Sequence, residues 1–162
     1  MDGQLEEIPM DEQVLEFDEL LAQIKSDVKQ VVAEIGDAGL TWTPDVPDTN
    51  SVAVLVTHMF GSEAASVHEQ IGGNPVNRDR DSEFADPITT VDGLTNMIES
   101  VGQRTRESLA KETAESLKRI VSGSDANSAT TAHRRLIGVL MHQAEHIGHL
   151  QLTEQLRQAQ LD

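Results

Sequence analysis

The apolar residues Val14, Phe17, Leu21, Ile24, Val28, Val31 and Ile35 recur at alternating intervals of three and four, and no other feature constrains the chain as strongly. Residues spaced in this way line one side of an α-helix, and so narrow a seam has to be covered by further helices. The polar side of this helix is expected to carry Glu16, Glu19, Lys25 and Lys29, and the stretch from Gly36 to Gly39 marks its end. TWTPDVPDTNS follows, and two prolines among Asp, Thr and Asn make it a linker. Asn50 or Ser51 then caps a second helix, VAVLVTHMFGSEAASVHEQI, which stops at Gly72 and Gly73. NPVNRDRDSEFADP, alternately charged and poor in apolar residues, is expected to be an exposed connection. Thr89 or Thr90 caps a third helix with Val91, Leu94, Ile98, Val101, Thr105 and Leu109 at helical spacing. TAESLKRIV is a shorter segment, with strand-like pairing around Arg119–Val121 left open, and SGSDANSATT is a loop by composition. A last helix runs from about Ala129 to Gln160, with Leu136, Val139, Leu140, Ile147, Leu150 and Leu156 on its apolar side.

Four long amphipathic helices in 162 residues predict an all-α fold, a four-helix bundle over residues 10–160 behind a flexible tail of residues 1–9. The seam of the first helix suits the intramolecular core or a homodimer interface equally, and a homodimer is the expectation. The N-terminus has neither a basic start nor an apolar run, and no stretch approaches the roughly 20 apolar residues of a membrane span. A cytoplasmic protein is therefore expected. Twelve Lys and Arg against 28 Asp and Glu give a formal charge of −16, which repels phosphate backbones and anionic lipid. With aromatic residues at 2% and no Tyr there is also no platform for stacking bases, so nucleic acid and membrane are excluded as expected partners. The absence of cysteine removes disulfides, thiolate ligands and a cysteine nucleophile together. A metal, if bound, must be held by His, Asp or Glu.

The chain has six histidines, and three fall in VLMHQAEHIGHLQL. His142 and His146, four apart, project from one side of a helix about a turn from each other, a spacing that suits two ligands of one metal. His58 lies in the apolar run VAVLVTHMF, where burial costs free energy unless a metal, a backbone carbonyl or a buried carboxylate compensates. Bundles build metal sites from side chains on facing helices, so His58 with His142 and His146 is more informative than any of the three alone. His149 is either a fourth ligand, a donor to a ligand or a residue lining the cavity, and the lining role is expected. His68 and His133 are expected to be solvated or structural. Three imidazoles without a cysteinate leave coordination positions open, as in catalytic rather than structural sites. Glu145, Glu63 and Gln151 are candidates to support ligands or move protons.

TWTPDVPDTN followed by NSVAVLVTHMFGSE, then NRDRDSEFA, and finally LIGVLMHQAEHIGH, resemble the DinB/YfiT-like family of metal-binding four-helix bundles over about residues 10–157. The resemblance implies an up-down-down-up bundle and a divalent metal held by one histidine of the second helix and an HxxxH pair of the last, which fall on His58, His142 and His146. It also implies relatedness to thiol-dependent enzymes, the mycothiol-dependent maleylpyruvate isomerases and bacillithiol S-transferases, in which a metal lowers the pKa of a small thiol and presents its thiolate to an electrophile. The chain departs from the pattern after HxxxH, where Gly148 is followed by His149 rather than by glutamine.

The leading expectation is a divalent-metal-binding protein acting as an enzyme of thiol S-transferase or hydrolase type, with His58, His142 and His146 as ligands and a metal-bound thiolate or hydroxide as nucleophile. Three imidazoles accept zinc, nickel, iron or copper, with zinc or nickel expected. A low-molecular-weight thiol and a small-molecule substrate are the implied partners. The alternative is a non-catalytic metal or small-ligand binding bundle, and a third reading is a structural bundle whose core histidines bind no metal.

Overall fold

The structure, a computed structural model, describes residues 9–123 and 128–161; the expected tail, apart from its last residue, and the middle of the loop after Gly123 lie outside the described residues. The elements are α1 (Glu12–Ile35), α2 (Asp37–Leu40), α3 (Val52–Glu63) with a π-helical continuation (Ala64–Ile71), α4 (Arg80–Ala85), α5 (Val91–Leu109) and α6 (Ala132–Leu161). Asp11, Ser51 and Thr90 cap α1, α3 and α5 by accepting backbone N–H groups of the first turn. Of the paired cap candidates, Ser51 and Thr90 are the ones used. The open question around Arg119 resolves into two short antiparallel strands, β1 (Ile120–Val121) and β2 (Thr130–Thr131). Because Thr130 and Thr131 are engaged in that pairing, α6 begins at Ala132 and not at Ala129.

Long-range pairs set the helix directions. Asp18 meets Arg106, and Lys29 meets Glu99, so α1 and α5 are antiparallel. Thr57 accepts from the N–H of Ile88, while His68 reaches Val101 and Thr105, so α3 and α5 run parallel. Met59 meets Gln143 and the start of α1 meets that of α6 through Phe17 and His133, with the order of contacts making α6 parallel to α1. The result is the expected four-helix bundle in up-down-down-up order.

Of the α1 seam, Val14, Leu21, Val28 and Ile35 are buried and Phe17, Ile24 and Val31 are partly buried, while Lys25, expected on the polar side, is only 7% exposed. Its ammonium lies 2.6 Å from the carboxylate of Glu63, itself 1% exposed, and donates to the carbonyl of Leu21 at 3.3 Å. The lysine stem reaches this position past Gly102 on α5, where a Cβ would come within 2.9 Å of Lys25 Cδ. A second difference concerns residues 74–87. They contain α4, which packs on α3 and buries Glu83, because Asp79 caps a short helix whose Glu83 turns inward while its other charges face water. Leu156, expected on the apolar side of α6, is exposed near the helix end.

Glu63 gathers the bundle around it. Thr105 of α5 donates to one of its oxygens at 2.6 Å and Gln143 of α6 to the other at 3.0 Å. Five residues take an α-helix roughly 140° past alignment, but a π-turn closes i to i+5. The π-helical continuation thus brings His68 beneath Glu63, where its Nε2–H is shared between Val101 O and Thr105 Oγ1. This layer separates two apolar clusters. One contains Val28, Val56, Phe60, Ile98 and Leu150, and the other Leu21, Val67, Leu109, Leu117 and Leu136. Replacing Glu63 with Ala should leave the Lys25 ammonium buried and unpaired, at a cost of about 3–5 kcal/mol in denaturant unfolding. A loss under about 1 kcal/mol would show that Lys25 escapes to solvent at little cost.

Candidate metal centre

α3 and α6 are antiparallel neighbours, and His58 on one faces His142 and His146 on the other. His142 Nε2 is 3.2 Å from His58 Nε2 and 3.1 Å from His146 Nε2. The three rings offer one nitrogen each within 4.8 Å of one another, and all three residues are largely shielded from solvent. Nitrogens bound at ~2.0–2.1 Å to a tetrahedral ion are spaced by about 3.3 Å, so the spacing fits a single small cation.

The proton of His58 is placed to suit that cation. Glu83 Oε2 lies 2.9 Å from His58 Nδ1 and accepts its proton, which leaves the Nε2 lone pair aimed at the cluster. Glu83 is held in turn by Arg78, whose Nε donates to Oε1 at 2.6 Å and Nη2 to Oε2 at 2.8 Å. Gly61 makes this possible, since a Cβ there would collide with Glu83 Oε1. On the other side, His149 Nδ1 stands 3.3 Å from His146 Nδ1, the nitrogen turned away from the cluster. His149 therefore backs a member of the triad and does not join it. His142 Nε2 faces two nitrogens at once, and a single N–H cannot satisfy both.

Of the other residues singled out by sequence, Glu145 and Gln151 are exposed, and Glu63 belongs to the interior layer. His68 is a buried structural residue and His133 an exposed one set edge-on against Phe17. Sequence reasoning missed Glu83 and Arg78. The signal available was the Asp79–Ser82 cap pattern inside a charged run, which marks a short helix but does not say which of its carboxylates turns inward.

With this geometry in place the comparisons with known proteins are informative. Residues 11–161 match the family described as "Protein of unknown function (DUF1572)". The chain belongs to this DinB-like family. No curated protein matches the sequence. Among solved structures, a DinB-like protein from Bacillus cereus is similar with a TM-score of 0.70 at 14% identity, over 88% of this chain and 90% of that one. A DinB-like protein from Bacillus subtilis gives 0.65 at 18%, over 85% and 87%. YfiT from Bacillus subtilis, described as a probable metal-dependent hydrolase with an unusual four-helix bundle topology, gives 0.68 at 21%, over 92% and 90%. At these identities the likeness to each structure concerns the DinB-like fold. Among the described residues, no helix is long and apolar enough to cross a membrane.

Burial, then the nearby His146, His58 and Arg78, push the pKa of His142 down to about 4. Burial, followed by His58 and His149, also lowers His146, and burial, followed by Arg104, lowers His68. In the unfolded chain these imidazoles titrate near 6.5. The folded values are the lower ones, so below 6.5 the unfolded state binds more protons, and the stability is complete above 6.5 and lost as pH falls. The unfolding midpoint of chelator-treated protein should accordingly hold from about pH 8 to 6.5 and drop towards about pH 5, less steeply in His142→Asn. Equal midpoints at pH 7 and 5 would contradict the assigned burial of these rings.

Proposed function

We propose that the protein is a divalent-metal-dependent enzyme that turns a small thiol or water against a small electrophilic substrate, with His58, His142 and His146 as the metal ligands. The observation that carries the reading is the convergence of three imidazole nitrogens, with the proton of His58 drawn away from the common point by Glu83. The donor set fits: imidazole suits zinc and nickel, and three protein ligands leave positions open for an incoming molecule. A bound divalent ion lowers the pKa of a thiol or water that it coordinates and polarises an electrophile beside it. The description of YfiT as a probable metal-dependent hydrolase supports the same reaction class.

The chain's own residues hold the site ready. Burial keeps His142 neutral, so no proton has to leave it before a ligand bond forms. Glu83 fixes the tautomer of His58, and His149 stands behind His146. Because Arg78 and His58 occupy both oxygens of Glu83, this carboxylate is not available as a general base. That favours the more acidic nucleophile, a thiol ahead of water.

Protein purified without a polyhistidine tag should contain about one zinc or nickel per chain by elemental analysis, and His58→Ala or His142→Ala should contain essentially none. Gly61→Ala, which displaces Glu83 without altering a ligand, should weaken metal binding by about 10–100-fold. Turnover of thiol and electrophile pairs should depend on the same metal. Metal content unchanged in both histidine variants would remove the assignment, and full metal content without any turnover would favour a binding protein over an enzyme.

A further inference from the structure

One member of the triad, His142, lines the end of a groove that runs on between α3 and α6. Its other wall is formed by Ser62 of α3 and Ser66 of the π-helical continuation, while α6 presents His142, Gly138 and Arg135. This part of the groove has a volume of about 500 Å³ and joins a second hollow that also contains Ser62, Ser66 and Arg135. Arg135 and His142 are seven residues apart, hence on one side of α6 and ~10.5 Å apart along its axis. A Cβ at Gly138 would meet nothing within 4 Å, so the floor between them is open.

The far end of the groove carries two positive side chains, Arg134 and Arg135. In a chain of formal charge −16, most basic side chains that meet others do so in ion pairs. Among the described residues, Arg134 and Arg135 are paired with no carboxylate. Arg135 Nη2 is steadied by the carbonyls of Ser128 at 2.7 Å and Ser122 at 3.5 Å, which orient the guanidinium. Both arginines also occupy the first turn of α6, where the backbone dipole disfavours cations and favours an anion.

We infer that the groove binds a small molecule with an anionic oxo group, a carboxylate or a phosphate, held by Arg135 with Arg134 beside it, and that this positions the rest of the molecule along Ser66 and Ser62 towards the histidine triad. The substrate class follows: an acidic small molecule whose reacting end lies about 10 Å from its anion. The inference rests on the proposed metal centre only for the identity of the reacting end, because the anion contacts are made by other residues. Arg135 is a binding residue in this scheme, and Gly138 keeps the path open.

Glutarate and inorganic phosphate, titrated separately into metal-free and zinc-loaded full-length protein by calorimetry, test it. Saturable binding of at least one anion is expected in both forms, with the tighter of the two assigning carboxylate or phosphate. Gly138→Glu places a carboxylate within reach of Arg135 in open space and should weaken binding by about tenfold or more, as should Arg135→Gln, while Gly138→Ala should bind like the wild type. Helicity and zinc stoichiometry should be the same in the Gly138 variants, which separates groove blocking from misfolding if Arg135→Gln proves unstable. No saturable binding of either anion, or wild-type affinity in Gly138→Glu, would overturn the inference. Absence of zinc from the wild type, with anion binding intact in the metal-free form, would overturn the metal centre and leave the anion groove standing.

Discussion

The carboxylate of Glu63 is the fixed point of this bundle. It is buried at mid-height and receives Lys25 from α1, Thr105 from α5 and Gln143 from α6, so one side chain of α3 is bonded to each of the other three long helices. Apolar seams alone specify that helices pack but tolerate sliding by a turn, since one leucine can replace another against a smooth neighbour. A buried ion pair does not tolerate it, because a shift of about 5.4 Å would separate the charges inside a medium of low polarity. The specificity comes with a local irregularity. The π-helical continuation after Glu63 is what lets His68 share Thr105 with it, and among the described residues His68 Nδ1 and Gln143 Oε1 are buried without a hydrogen-bond partner.

The same layer positions the histidine triad. Gln143 bonds Glu63 and the carbonyl of Met59, and these three residues are sequence neighbours, or near neighbours, of His142 and His58. The axial offset of α3 and α6 is therefore set from inside by the amide of Gln143, and the histidines one residue away on each helix are brought to contact on the outer side. Orientation is added by a separate element: α4 carries Glu83 over α3, and Gly61 is the opening through which it reaches His58. The interior layer sets distance, and α4 sets which nitrogen of His58 faces the cluster.

This division explains what could be read from sequence. The seams of α1 and α5 were legible because their periodicity is long and their neighbours apolar, and the triad was legible because an i,i+4 histidine pair and a histidine in an apolar run are each conspicuous against a lysine-poor helix. Lys25 was not, because its position falls on the buried repeat Leu21, Lys25, Val28 but a lysine there reads as polar unless its partner on another helix is known. Glu83 was hidden for a related reason: in NRDRDSEFADP four guanidiniums and carboxylates alternate ahead of the inward glutamate, and only the tertiary contact with Gly61 and His58 distinguishes it. The role of His149 turned on a ring orientation, which spacing along a helix does not determine.

A histidine triad could in principle have been placed in either apolar half of the bundle, where it would be drier and more enclosed. There each imidazole would need its own compensation for lost hydration, and the helices on either side would be free to adjust their register. Beside the Glu63 layer the helices are already pinned and the inner side of α3 and α6 is already filled by paired polar groups, so a site built there has one way to open, outward between α3 and α6. Along that opening the walls are serine hydroxyls and a glycine, ending at Arg134 and Arg135. The interior pair that holds the helices in register thus also decides that the site is a groove rather than a closed cavity, and a groove admits molecules longer than the ion's own coordination sphere.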